Sequence, residues 1–272
     1  MKLITKILFP LCLLFPITTF GETMDDLVER DGLYYKKFTD VPFTGTITGK
    51  SQGEIKNGRK DGSWTVHHDN GQLWWKGTYK HYRPNGPWVW YHDNGQLSYK
   101  GTYKDGYKVG PWTAYWNNGG LKEKGTYKDN KRNSPWIYYH ANGQLWMKGT
   151  FTNWRQEGPW VIYYSNATLQ SKGNYKGGKK EGYWVSYWWE NGYLSSKGTY
   201  RDGKEEGSWA TFWTNGQLNE NGVYKDGKKE GPWVKYHDND QLWTKGTYRD
   251  GKEVGEWVEY SRDGSVLEKG ED

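Results

Sequence analysis

The chain predicts an all-β protein, an elongated array of stacked antiparallel β-hairpins forming a single twisted meander sheet of 24-residue repeats. Two observations predict it. Nine tryptophans (Trp64, Trp88, Trp112, Trp136, Trp160, Trp184, Trp209, Trp233 and Trp257) follow one another at 24-residue steps, with one 25-residue step from Trp184 to Trp209. A fixed period of about 20–50 residues marks units that cannot bury an apolar face alone and stack on their neighbours instead. Asn-Gly or Asp-Gly dipeptides also punctuate the units, and no 3.6-residue apolar pattern with helix caps runs through them.

The elements follow in order from the tryptophan register. Three positions after each Trp stands an aromatic residue or His, from His67 and Tyr91 to Tyr260. Asn or Asp follows at six, usually with Gly behind it, as in Asn70-Gly71 and Asn94-Gly95. Such pairs favour two-residue type I′ turns, in which both central residues need a positive φ. Leu stands at nine (Leu73, Leu97), Gly at thirteen (Gly77, Gly101) and an aromatic at fifteen (Tyr79, Tyr103). A second punctuation, such as Asp105-Gly106 or Asp226-Gly227, precedes the next Trp, so a unit reads strand, tight turn, strand, longer turn. Pro87, Pro111, Pro135, Pro159 and Pro232 stand at strand entry, where a missing N–H is tolerated. With a two-residue Asn-Gly loop, each Trp lies opposite the Gly thirteen residues on, and the position four after Trp lies opposite Leu. A ring over a cross-strand glycine stabilises that strand. The extra residue of the Trp184 unit falls in Trp188-Trp189-Glu190, the expected place for a kink.

Units of the form Gly-Pro-Trp-x-x-Tyr-x-x-Asn-Gly-Gln-Leu-x-x-Lys-Gly-x-Tyr-Lys-Asp-Gly-Lys resemble the bacterial MORN-repeat variant family. Gly231 to Gly251 is one such unit, departing at Asp240, and the resemblance covers residues 53–272. Gly32 to Tyr35 and Val41 to Gly45 are similar to the lead-in of such proteins. The resemblance implies stacked hairpins. It also implies a protein-binding scaffold, for some members an antitoxin or immunity protein of a toxin–antitoxin system, and for eukaryotic relatives membrane or lipid association. It carries no catalytic motif, and fold alone does not specify function.

Composition sets further bounds. Hydrophobic content is 34% and aromatic content 18%, so order rests on large aromatic side chains and neighbour contacts rather than on an ordinary globular core. The first 21 residues read as a secretory signal peptide: Lys2 and Lys6, an apolar run from Ile7 to Ile17, then Thr19-Phe20-Gly21 as the cleavage site. Residues 22–52 form a lead-in and 53–272 the array. The expected location is therefore periplasmic, cell-surface or secreted. The single cysteine, Cys12, lies in the signal, which leaves the mature chain without thiol chemistry. The formal charge of +6 falls to +4 without Lys2 and Lys6, a mixed surface that speaks against nucleic acid as partner.

Catalytic chemistry is not expected. His67, His68, His92, His140 and His237 do not share the spacing of a metal site, because equivalent residues of successive hairpins lie roughly 9–10 Å apart. Neither a metal nor a cofactor is expected, and the chain reads as a non-enzyme. Two rows remain as binding candidates. One is the tryptophan row itself, Trp64 to Trp257, for a peptide, a glycan or the surface of a protein partner. The other is a lysine row (Lys76, Lys100, Lys124, Lys148, Lys172, Lys197, Lys245 and Lys269), which protects the sheet surface or contacts anionic lipid or a cell-wall polymer.

Overall fold

The computed structural model describes the backbone of residues 21–270 and side chains to Leu267. The expected signal peptide lies outside the described residues, except for Gly21. Successive strands pair antiparallel with their sequence neighbours in one meander, from Gly45–Ile47 to Val266–Gly270. Among the described residues, no pairing register joins those two terminal strands to each other. A separate two-stranded hairpin, Leu27–Arg30 with Leu33–Lys36, stands before it. The ladder therefore begins at Gly45, ahead of the boundary at residue 53 that the repeat pattern suggests.

The predicted pairing of each Trp with the Gly of its own hairpin holds in every unit, from Trp64↔Gly77 through Trp136↔Gly149 and Trp184↔Gly198 to Trp257↔Gly270. The two turns exchange roles. At the Asn-Gly end, His68 N–H donates to Gln72 O (2.7 Å) and Gly71 N–H to His68 O (3.0 Å), a three-residue loop in which Gly71 takes φ +82°. This is a type I turn closed by a left-handed glycine, not a type I′ turn. The extra loop residue is offset by a bulge: His67 faces Leu73, whereas Val66 faces Trp75. Leu therefore lies opposite the third residue after Trp rather than the fourth. The two-residue type I′ turns are at the other end, as at Asp105 (φ +51°) and Gly106 (φ +89°) between the paired Lys104 and Tyr107.

The 25-residue unit absorbs its extra residue in the loop: Gly192 N–H reaches back four residues to Trp188 O, and strand pairing resumes on both sides. The drifted turn at Asn166-Ala167 keeps the same form, with Ala167 at φ +67° where other units have glycine.

Towards the preceding unit the ladder is interrupted at each Gly-Pro-Trp. Lys148 pairs with Val161 and Thr150 with Glu157, so Gly149 faces the bulge Gly158-Pro159-Trp160. The proline's missing N–H thus falls where no ladder bond exists. The bulge folds the indole back over the glycine, and a Cβ built on Gly149 would stand 2.2 Å from Trp160 Cδ2. The same holds for Gly77 under Trp88, Gly101 under Trp112 and Gly125 under Trp136. Each Trp thus covers the glycine of the preceding unit while pairing through the backbone with the glycine of its own. It staples units together.

At the N-terminal end, Leu27, Ile47 and Ile55 bury against Trp64, and Gly53 receives its ring. The lead-in therefore caps the first unit of the array, whose outer face would otherwise be open.

Candidate binding surfaces

Side chains alternate between two sheet faces. One carries the core. Trp64, Trp88, Trp112, Trp136, Trp160, Trp184 and Trp233 are buried, and Trp209 and Trp257 half-buried. From Trp88 onward each meets the aromatic residue of the preceding unit edge-on, as in Tyr103 to Trp112 (5.2 Å, 88°) and Tyr224 to Trp233 (5.1 Å, 87°). Most also meet the aromatic residue of their own unit, as in Trp112 to Tyr127 (5.7 Å, 79°). Edge-to-face pairs of this kind contribute roughly 0.5–1.5 kcal/mol beyond area burial. The tryptophan row is thus packed as structure, and most of its ring surface is not presented to a partner.

Cations cover several of these rings. Lys60, Lys108, Lys180 and Lys229 place Nζ 4.0–4.7 Å from the centroids of Trp64, Trp112, Trp184 and Trp233. Burial pushes the Lys60, Lys108 and Lys180 ammonium groups below their ordinary value. Arg132 takes the same place over Trp136 (4.3 Å). It donates to both carboxylate oxygens of Glu123 (3.1 and 3.2 Å) and to the Tyr138 hydroxyl (2.5 Å). Burial opposes its charge, but bonds and charges from Tyr127, Glu123 and Tyr138 outweigh that and raise its pKa.

The position four after Trp forms a hydrogen-bond ladder. His68 and His92 Nε2 meet the carbonyls of Tyr91 and Tyr115 (3.1 Å each). Trp116 Nε1, Tyr164 Oη and Trp213 Nε1 donate to the equivalent carbonyls of Tyr139, Tyr187 and Tyr236 (3.2, 3.0 and 3.0 Å). The histidines are therefore inter-unit ties, and among the described residues no group of His, Cys, Asp or Glu is placed to hold a metal ion. A second ladder comes from the turn asparagines: Asn94 Nδ2 donates to Asn117 O (2.7 Å) and Asn142 Nδ2 to Ser165 O (2.7 Å).

What faces solvent is different. The bulge residue ten positions after Trp is exposed in Trp74, Trp146 and Trp243. Each lies beside the histidine of its own hairpin: His68 at 5.7 Å, His140 at 5.9 Å and His237 at 5.4 Å. The pattern did not single these out because the bulge that turns them outward is not written in the dipeptide punctuation. Lys76, Lys100, Lys124, Lys148, Lys172, Lys197 and Lys245 are exposed on the opposite face. There, Lys100, Lys197 and Lys245 stack on Tyr115, Phe212 and Tyr260 (5.8, 5.3 and 5.5 Å). Lys269 lies past the described side chains. Among the described residues no helix is long and apolar enough to cross a membrane.

Six segments of the chain match the MORN repeat variant: residues 60–81, 84–105, 108–129, 132–153, 156–176 and 229–250. The units of Trp184, Trp209 and Trp257 have Tyr183, Ser208 and Glu256 in place of proline. They share the same hairpin register, which extends the repeat through the array. No curated protein matches the chain. Among solved structures, it is similar to chains of the TcdB2-TccC3-Cdc42 and TcdB2-TccC3 crystal structures, each at 13% identity and TM-score 0.19 over 86% of this chain. It is also similar to a chain of the Photorhabdus luminescens Tc holotoxin pore, at 14% identity and TM-score 0.17 over 80% of this chain. The chain spans only about 15% of the first of these. Likenesses of that size carry no argument for fold or function.

Proposed function

We propose that this chain is a non-catalytic, exported repeat scaffold that binds a protein partner, in the manner of an antitoxin or immunity protein. The observation that carries the reading is the exposed edge of Trp74, Trp146 and Trp243. Large aromatic side chains dominate binding hot spots. Here they stand on rigid strands and beside histidines, so little ordering cost accompanies binding. The full-length chain, expressed with an affinity tag and cross-linked in cells, is expected to retain one saturable protein partner from the envelope fraction. The triple variant Trp74→Ala/Trp146→Ala/Trp243→Ala should lose at least tenfold of that partner and keep its melting temperature within a few degrees. The absence of a saturable partner, or its full retention by the variant, would reject the reading. Export is checked separately by the mass of the mature chain, expected to begin at Glu22.

A second reading is supported by the exposed lysine row: contact with an anionic lipid surface or acidic envelope polymer. Each lysine near such a surface contributes about 1 kcal/mol. Retention on phosphatidylglycerol vesicles that falls with salt supports it, and no retention at low salt excludes it.

A further inference from the structure

On the tryptophan face, the positions two and eleven after Trp pair across every strand boundary and form one continuous row. In the N-terminal units it holds several rings, with Trp75↔Trp90 and Trp90↔Tyr99 as direct partners and Tyr138 further on, between smaller or polar residues such as Ala114 and Glu123. Between the Trp160 and Trp209 units the same positions are Ser171↔Ser186, Ser186↔Ser196 and Ser196↔Thr211. Four small hydroxyl side chains therefore follow one another where other units hold larger residues such as Tyr138, Met147 and Ile162, and they line a depression of about 600 Å³.

We infer that this depression is a binding subsite for a neutral, extended oligosaccharide, a role separate from the protein-binding edge. Directly opposed side chains lie about 4.5–5.5 Å apart, so the floor is a straight row of groups that both donate and accept hydrogen bonds. A sugar chain presents the complementary row. Thr211 lines the depression, and its Oγ1 is buried without a hydrogen-bond partner among the described residues. The amides of Gln170 and Asn219 add to the lining.

Tyr164 and Trp188 line the same depression and supply the flat apolar surfaces that sugar C–H faces pack on. Both rings are fixed beforehand, Tyr164 by its hydroxyl bond to Tyr187 O and Trp188 by its indole bond to Phe212 O (3.0 Å each). The bordering charges are occupied. Lys180 lies over Trp184 and Tyr200 (4.5 and 4.8 Å), and Glu220 is paired with Lys229 at 2.8 Å. One cation and one anion, each engaged, suit a neutral ligand better than a phosphate or a polyanion.

The test uses the full chain with cellohexaose and chitohexaose as probes, followed by titration calorimetry and amide chemical shifts. At least one hexamer is expected to bind, with shifts concentrated between residues 164 and 220. Ser186→Tyr/Ser196→Tyr should weaken binding at least tenfold. The fold tolerates those rings, because the equivalent positions of other units already hold Tyr138 and Tyr99. Thr211→Val removes one hydroxyl at constant shape and should weaken binding several-fold. If neither hexamer binds, the inference is overturned. It is also overturned if the folded double variant binds within twofold of wild type, or if the shifts map to Trp74, Trp146 and Trp243. A protein partner held at that edge would survive the double variant, so the two roles fail separately.

Discussion

The N-terminal and C-terminal halves of the array have the same backbone and opposite weaknesses. In the first, the row beside the core tryptophans adds rings to the core: Trp75 stacks on Trp88 (5.1 Å, 21°), Trp90 on Trp88 (5.5 Å, 29°) and Tyr138 on Trp136 (6.1 Å, 29°), with Glu123 its one acidic member there. In the second, that row is polar and charged, with Glu220 opposite Lys235 and Thr244 opposite Glu259. The turns run the other way. The N-terminal half forces His81-Tyr82, Asp129-Asn130 and Asn153-Trp154 into left-handed type I′ geometry and has glycine at Asp105-Gly106, whereas the C-terminal half has Asp202-Gly203, Asp226-Gly227 and Asp250-Gly251 there. A left-handed non-glycine residue costs roughly 1–2 kcal/mol. Strong lateral packing and well-suited turns are thus two ways to hold one hairpin on its neighbour.

The largest expected effect is at the core. Trp136→Ala should cost about 4 kcal/mol, because the ring is buried and stapled over Gly125. Trp257→Ala, at the half-buried C-terminal end, should cost about half of that. Urea denaturation gives both, and equal losses would remove the contrast between the halves. Next are the cations. Arg132→Met strands Glu123 and should cost about 2–3 kcal/mol, since both side chains are about four-fifths buried. Lys229→Met, which breaks one contact to Glu220, should cost about 1–2 kcal/mol.

The turns come third. Ser134 occupies, at φ +103°, the place where other units have glycine, and Ser134→Gly should add about 1 kcal/mol. Asp240→Gly should do the same, and Gly227→Tyr should remove a similar amount. A destabilised Ser134→Gly would show that the left-handed serine at this bulge is not a weak point. The smallest expected effect is in alkali. Burial pushes the Tyr200 and Tyr224 hydroxyls from the ordinary 10.0 up to about 12. Between those values the folded chain keeps protons that the unfolded chain has released, so stability should fall as pH rises through that window. Tyrosine absorbance at 295 nm should show late-titrating groups in the folded chain, and ordinary titration of all tyrosines would contradict it.

Much of this was legible from spacing. The 24-residue period and the Trp–Gly pair thirteen residues apart are fixed by where Gly and Trp stand in the chain. The turn types were not, because Asn-Gly is compatible with both a two-residue loop and a three-residue loop closed by glycine. The choice depends on the bulge at Trp74, a matter of strand pairing. That bulge also decides that Trp74, Trp146 and Trp243 point outward.

The sequence by itself determined that this is an array of stacked hairpins, that every Trp has a glycine partner, and that its histidines hold no shared metal spacing. Only the tertiary structure decided which glycine each ring covers. The backbone pairs Trp112 with Gly125, but the bulge at Gly110-Pro111 lays the indole on Gly101. The physical reason is that backbone register follows from counting residues between turns, whereas a ring's resting place depends on where a neighbouring strand lacks a Cβ and interrupts its ladder.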